Sequence, residues 1–155
     1  MPSRKLKEFL DANDVKYVCI THSVAYTSQE IAALAHIPGK DLAKTVMVKL
    51  DGNLAMVVVP GSHKVDLRLL EAAAGARKAE LSTESAFKSM FPDCETGAMP
   101  PFGNLYGLPV FAAQSLSEDD EIAFNAGTHS ELIRMPYRDF ERLVQPKLGS
   151  FSIGP

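Results

Sequence analysis

The residues of this chain best suited to chemistry fall in three places. Lys44 opens the apolar run Lys44–Leu50 (KTVMVKL), directly after Leu42-Ala43. A lysine there either carries its ammonium to solvent along its methylene stem or points into a cleft as a cation for a carboxylate or phosphate. The second place is Gly97-Ala98-Met99-Pro100-Pro101-Phe102-Gly103. Glycine lets backbone N–H groups approach a ligand, and consecutive prolines fix a loop. Such a loop can aim N–H groups at a developing oxyanion, or it can be a structural Ω-loop. The third is Asn125-Ala126-Gly127-Thr128-His129. It reads either as a plain hairpin connection or as a ligand-facing turn with hydroxyl and imidazole groups.

Other chemistries lack their signatures. The histidines are His22, His36, His63 and His129, with no HxH or HExxH spacing, so no metal is expected. There is no GxSxG, no GxGxxG and no GxxxxGK[ST], which removes the motif support for a serine hydrolase or a nucleotide-binding fold. Cys19 and Cys94 form no CxxC pair, and a reduced, cytoplasmic setting follows as the default. Cys94 stands between Asp93 and Glu95, which disfavours its thiolate and argues against catalysis by it.

The elements that must position these residues can be read from periodicity. Leu6, Phe9 and Leu10 predict a surface helix over 3–13, and KYVCIT (16–21) a strand. Thr27-Ser28-Gln29-Glu30 is a capping-box pattern opening a helix with Ile31, Leu34 and Ala35 on one face, ended by Pro38-Gly39. Strand 44–50, the turn Asp51-Gly52 and the return strand 54–59 form a hairpin. The return strand is almost continuously apolar, so it belongs in the middle of a sheet covered on both faces. Helices follow over 65–74 and, capped by Ser82, over 83–90. Strands are expected at 110–113, 121–124 and 132–135, and a closing helix at 137–144. Residues 94–108 fit no period and form a loop of about 15 residues, long enough to be suspected of function. From Pro146 the chain reads as a tail. The mixture implies an α/β (α+β) fold: a mixed, partly barrel-like sheet with helices packed around it, in one domain over 1–155.

The bulk numbers narrow the partners. The chain has 155 residues, 46% hydrophobic, 23% charged, with a net charge of −3. That composition is globular. The charge argues against holding long nucleic acid by bulk attraction, but not against contact with a nucleic-acid end. The first 14 residues carry charges throughout and no apolar stretch, unlike a signal peptide, and no run is long enough to cross a bilayer.

The three places also carry a family resemblance. The segments 25–49 (AYTSQEIAALAHIPGKDLAKTVMVK), 56–67 (MVVVPGSHKVDL), 91–110 (FPDCETGAMPPFGNLYGLPV) and 124–135 (FNAGTHSELIRM) keep the order and spacing of the YbaK/prolyl-tRNA-synthetase-associated editing domains. These are free-standing aminoacyl-tRNA deacylases. The resemblance implies trans-editing without a cofactor: hydrolysis of the ester joining a wrong amino acid to the 3′-terminal adenosine of a tRNA, often that for proline. The family's lysine falls on Lys44, thought to hold phosphate or carbonyl oxygen. Its GxxxP loop falls on Gly97–Pro101, whose backbone is thought to bind the aminoacyl group and help position water. Gly127, Thr128 and His129 match a substrate-pocket turn, and His22 and Asn125 match further pocket positions. Ala98, Met99 and Pro100 lie within the substrate loop, with Met47, Met99 and Pro100 as candidate walls.

The GAMPPFG loop and the GTH turn resemble a branch other than the cysteine-editing one, which favours alanine, serine or threonine as the amino acid removed. The implied partner is mischarged tRNA at its acceptor end, with Lys40, Lys64 and Arg68 as helpers beside Lys44. A synthetase or elongation factor is a further candidate partner. Two other readings stand beside this one. The first is a non-catalytic module that binds an aminoacyl or nucleotide ligand, or docks on a synthetase, without hydrolysis. The second is a different small-ester or amide hydrolase using His22, His63 or His129.

Overall fold

Asp51-Gly52 folds as its residue types dictate. Both residues have positive φ, +50° and +84°, the turn that matches the twist of a two-residue hairpin. It joins β2 (Ala43–Leu50) to β3 (Asn53–Pro60) in antiparallel register, Lys44 opposite Val59. The computed structural model describes residues 3–154, so the extreme ends of the expected 1–155 domain lie outside the described residues. β3 is central, as its apolar run implies: Met56, Val57, Val58 and Val59 are fully buried. β6 (Val110–Ala113) runs parallel to β3, β9 (Lys147–Gly149) runs parallel to β6, and β5 (Ala79–Leu81) pairs antiparallel with β2. This gives a mixed sheet of order β5-β2-β3-β6-β9. A second, antiparallel sheet has the order β1 (Val18–Thr21), β8 (Glu131–Pro136), β7 (Glu121–Asn125). Among the described residues one parallel bridge, Leu42 to Ala123, joins the two, and closure toward a barrel goes no further.

The alternation of side chains along β2 divides the interior in two. Ala43 and Met47 face a large core with Met56, Val58, Phe124 and Ile133. α1 (Arg4–Ala12) covers this side with Leu6 and Leu10, and α5 (Tyr137–Val144) with Tyr137 and Phe140. Val46, Val48 and Leu50 face the other side, under α3 (Leu67–Ala74) and its buried Leu70. On that same side Leu42, Ala123 and Leu132 pack under α2 (Ser28–Ala35) through Ile31. Burying a side chain such as Ile31 or Leu70 stabilises by about 1.5–3 kcal/mol. Two helices therefore lie over one face, with a seam between them.

Several local expectations are corrected. α2 ends at Ala35 because His36 takes the left-handed conformation (φ +57°), before Pro38-Gly39 is reached. Thr27 accepts from the Glu30 N–H (3.2 Å) as expected, but its hydroxyl, not its backbone N–H, bonds the Glu30 carboxylate (2.8 Å). The helix expected over 83–90 is α4 (Glu84–Phe87) followed by a 3₁₀ turn; Thr83 precedes it, and the Ser82 hydroxyl donates to the Thr83 carbonyl. The tail from Pro146 is structured: after β9, β10 (Ser152–Ile153) pairs with β4 (Lys64–Val65), anchored by the fully buried Phe151. The loop 94–108 contains a 3₁₀ turn at Gly103–Tyr106.

Candidate active site

Lys44 stands at the seam. Leu42, two residues before it, packs under α2, and Val46, two residues after, packs under α3. Lys44 itself is half-buried, and among the described residues no acidic side chain pairs with it. Burial holds its ammonium below the ordinary lysine value, and the charge of Lys64 pushes the same way. A half-buried cation without a counterion is a site for an anionic or carbonyl oxygen. The Leu42–Ala123 bridge is parallel, and Lys44 and Asn125 each lie two residues beyond it, on β2 and β7. The Asn125 Oδ1 is buried and unpartnered.

The other two places are bonded into one unit. The Glu95 N–H donates to the Gly127 carbonyl (2.7 Å), and the Gly127 N–H donates to the Ala98 carbonyl (2.9 Å). The Glu95 carboxylate accepts the His129 N–H at 2.8 Å. The His129 ring Nε2 lies 2.9 Å from the Thr96 carbonyl, so Nε2 carries the proton and Nδ1 is the acceptor in the neutral ring. Gly127 has φ +102°, which favours glycine, and a Cβ there would press on Ser3 at 3.3 Å. The Ser3 N–H donates to the Ala126 carbonyl (2.6 Å) while its hydroxyl bonds Asp93, which also accepts from Tyr106. The start of the chain thus ties the two segments together from behind.

Within the loop, Ala98, Met99, Pro100 and Pro101 are buried and Gly97 is exposed. Gly97 has φ +88° and sits against the His129 ring. Its N–H points at the Met99 thioether (3.3 Å), a weak acceptor that an oxyanion would displace. Met99 anchors the loop in the same core cluster as Met47, which is itself buried in that core.

The segment 22–26 closes over this unit. The His22 N–H donates to the Ser130 carbonyl (2.8 Å) and the Ala25 N–H to the His129 carbonyl (3.2 Å). The exposed Tyr26 ring lies 4.7 Å from the His129 ring. The His22 Nδ1 contacts the Ser23 carbonyl (2.7 Å), which leaves Nε2 as an acceptor, buried and unpartnered like the Nδ1 of His129. Unpaired buried acceptors cost about 1–3 kcal/mol each and mark a polar site awaiting a donor. Thr128 is turned to Glu131, its hydroxyl 3.3 Å from the carboxylate.

Of the expected helpers of Lys44, Lys40 is engaged by Asp41 and Asp119 at 3.7 and 3.6 Å, whereas the charge of Lys64 acts on Lys44. Sequence reasoning missed Glu95 and Thr96 as site residues. Their signal was adjacency to the two singled-out loops. Among the described residues no group of three His, Cys, Asp or Glu side chains is placed to hold a metal, and no helix is long and apolar enough to cross a membrane.

Known proteins resemble this chain in sequence and in fold. The family described as Aminoacyl-tRNA editing domain matches residues 22–143. The chain is 26% identical over 153 residues to the Multifunctional Ser/Thr-tRNA deacylase ProXp-y of Escherichia coli (strain K12), spanning 96% of this chain and 91% of that one. It is 26% identical over 89 residues to a proline–tRNA ligase of Bacillus mycoides, spanning 57% of this chain and 16% of the ligase. In fold it matches the crystal structure of a proposed trans-editing enzyme for prolyl tRNA synthetase, with a TM-score of 0.82 and 19% identity over 98% of this chain and 97% of the other.

Proposed function

The chain belongs to the aminoacyl-tRNA editing domain family, and on that premise we propose how its residues free a small, wrongly attached amino acid from tRNA. It is an aminoacyl-tRNA deacylase, a hydrolase of the ester between amino acid and tRNA. The observation that carries the residue assignment is the bonding of the Gly97–Pro101 loop to the Gly127–His129 turn, with the His22–Tyr26 segment laid over both.

In this reading the Gly97 N–H exchanges its thioether contact for the ester carbonyl oxygen as that oxygen gains charge. Lys44 holds a phosphate or carbonyl oxygen at the seam. The unpartnered acceptors of His22, Asn125 and His129 suit the α-ammonium group, which offers three donors. Water attacks the ester carbon, the bond to the ribose oxygen breaks, and that oxygen takes the proton. A terminal ribose hydroxyl orients the water. Met99 and Pro100 limit the pocket to alanine, serine, threonine or cysteine. A methylene is worth about 1–3 kcal/mol in a pocket, the reason a separate editing step is useful.

The tRNA is that for proline or a related one, met at its acceptor end, in the cytoplasm, by residues 1–155 acting as one domain. A synthetase or elongation factor is the further partner. The test is a panel of tRNAs carrying alanine, serine, threonine or cysteine. The protein releases at least one of them, and Lys44→Ala lowers the rate at least tenfold, roughly 1.4 kcal/mol. No release from any member of the panel sinks the reading, and full activity of Lys44→Ala sinks the role of Lys44.

A further inference from the structure

A pocket of about 750 Å³ is lined by Gln29, Ser62, Lys64, Asp66, Arg68 and Ile153, with the apolar Val65 and Leu67, and it lies next to the start of β2: Gly61, beside Ser62, donates its N–H to the Leu42 carbonyl at 2.7 Å and packs against Ser28, beside Gln29. Three independent features make its walls positive. Lys64 and Arg68 are exposed, and neither has an acidic partner among the described residues. The first turn of α2 enters the pocket through Gln29, and the first turn of α3 through Leu67 and Arg68. Each helix start presents N–H groups and the positive end of its dipole, offset in part by Glu30 in the first turn of α2 and by Asp66 before α3. The one carboxylate in the lining, Asp66, is spent on the start of α3, where its Oδ1 accepts the Leu69 N–H at 2.9 Å. In a chain of net charge −3, this concentration of unpaired positive charge is local and specific.

We propose that this pocket binds the nucleotide preceding the terminal adenosine of the tRNA, with Lys64 and Arg68 holding the phosphates on either side of it and the Val65, Leu67 and Ile153 surface taking its base. The inference rests on the deacylase reading, since the reacting end must lie at the seam. The Gly61 bond to Leu42 sets the pocket two residues from Lys44, and the charge of Lys64 acts on the Lys44 ammonium, so the phosphate between the last two nucleotides falls in the field of both. The pocket volume suits a single nucleotide, and its polar and apolar lining residues match a base with its phosphates.

The experiment is fluorescence anisotropy with a labelled, unacylated RNA hairpin ending in a single-stranded CCA, comparing wild type with Lys64→Ala/Arg68→Ala. Both side chains are exposed, so the double variant keeps the fold, which circular dichroism checks. With two phosphates held, affinity falls with salt at a slope of about −1.4, or about sevenfold between 50 and 200 mM. The variant binds at least fivefold more weakly and loses most of that slope, whereas Lys64→Arg retains both. Unchanged binding or an unchanged slope in the double variant overturns the proposal. Turnover supplies a second readout: wild type prefers an aminoacyl-CCA trinucleotide to aminoacyl-adenosine in kcat/KM, and the double variant loses the preference. A preference that persists also overturns the pocket assignment. If wild type hydrolyses neither substrate, the deacylase reading fails by itself, and the binding comparison still decides the pocket.

Discussion

Gly97 and Gly52 form a matched pair that separates backbone strain from chemistry. Gly97 has φ +88° and Gly52 has φ +84°. An alanine at either position pays the same left-handed penalty, about 1–2 kcal/mol. Neither faces a steric clash. A Cβ at Gly52 meets nothing within 4 Å, and one at Gly97 meets His129 Cε1 at 3.5 Å, an ordinary contact. Both variants should therefore lose similar stability, a fall in Tm of about 2–8 °C for a chain of this size. Their activities should part. The Gly97 N–H, resting on the Met99 sulfur, is assigned to the oxyanion. Relaxing the alanine strain rotates that N–H away, and losing one such donor costs about 10²–10³ in rate. The assay is thermal unfolding of both variants beside single-turnover release of amino acid from a charged tRNA. Gly97→Ala within threefold of wild type refutes the oxyanion assignment. An equal loss in Gly52→Ala shows that strain alone explains the result.

Two further substitutions test other parts of the reasoning. Lys44 is held below its ordinary value of 10.5 by burial and by Lys64, so the unfolded chain keeps that proton more tightly than the native one. Stability should thus rise as pH climbs from the native Lys44 value to the ordinary one, and the gain should vanish in Lys44→Met. At neutral pH Lys44→Met should be at least as stable as wild type yet inactive; urea midpoints at pH 7 and pH 10 check this, and a destabilised variant contradicts it. Phe151→Ala should cost about 3–5 kcal/mol, because the ring is fully buried and Gly149 packs on it. Urea unfolding measures the loss, and a cost under about 1 kcal/mol would mean that the C-terminal strands hold without their anchor.

Legibility in the sequence followed the range of the forces involved. The β2–β3 hairpin was readable because a short apolar run on each side and the Asp51-Gly52 turn are local signals. α1 and α5 were readable through their apolar stripes. β9 escaped because Lys147-Leu148-Gly149 carries one apolar side chain, and its partner β6 lies far back in the chain. β5 escaped because Glu80 and Leu81 are exposed, leaving mostly backbone pairing with β2 to define it. At the site, residue types pointed to the two loops, but the bond from the Glu95 carboxylate to His129 spans 34 residues and has no local signature. The seam position of Lys44 likewise depends on which helices cover Leu42 and Val46, a property of the assembled sheet.

The site also bears on where the attacking oxygen comes from. Covalent catalysis needs a hydroxyl or thiol activated by a neighbouring base. Burial pushes the Cys94 thiol up to about 12, so it is protonated at neutral pH, and Asp93 beside it adds to the effect. The Thr128 hydroxyl is turned to the Glu131 carboxylate and away from an imidazole partner. The bonded ring nitrogens of His129 and His22 meet the Thr96 and Ser23 carbonyls, which orient the rings without activating a hydroxyl. Among the described residues the acyl group therefore finds no prepared protein nucleophile, and direct attack by water is the route the geometry favours. Rapid-quench kinetics should show tRNA and amino acid released together, with no burst of tRNA ahead of the amino acid. Cys94→Ala and Thr128→Ala should each stay within about tenfold of wild type, since an activated nucleophile would cost far more. A stoichiometric burst, or abolished turnover in a folded Cys94→Ala or Thr128→Ala variant, would overturn the water route and assign the attack to that side chain.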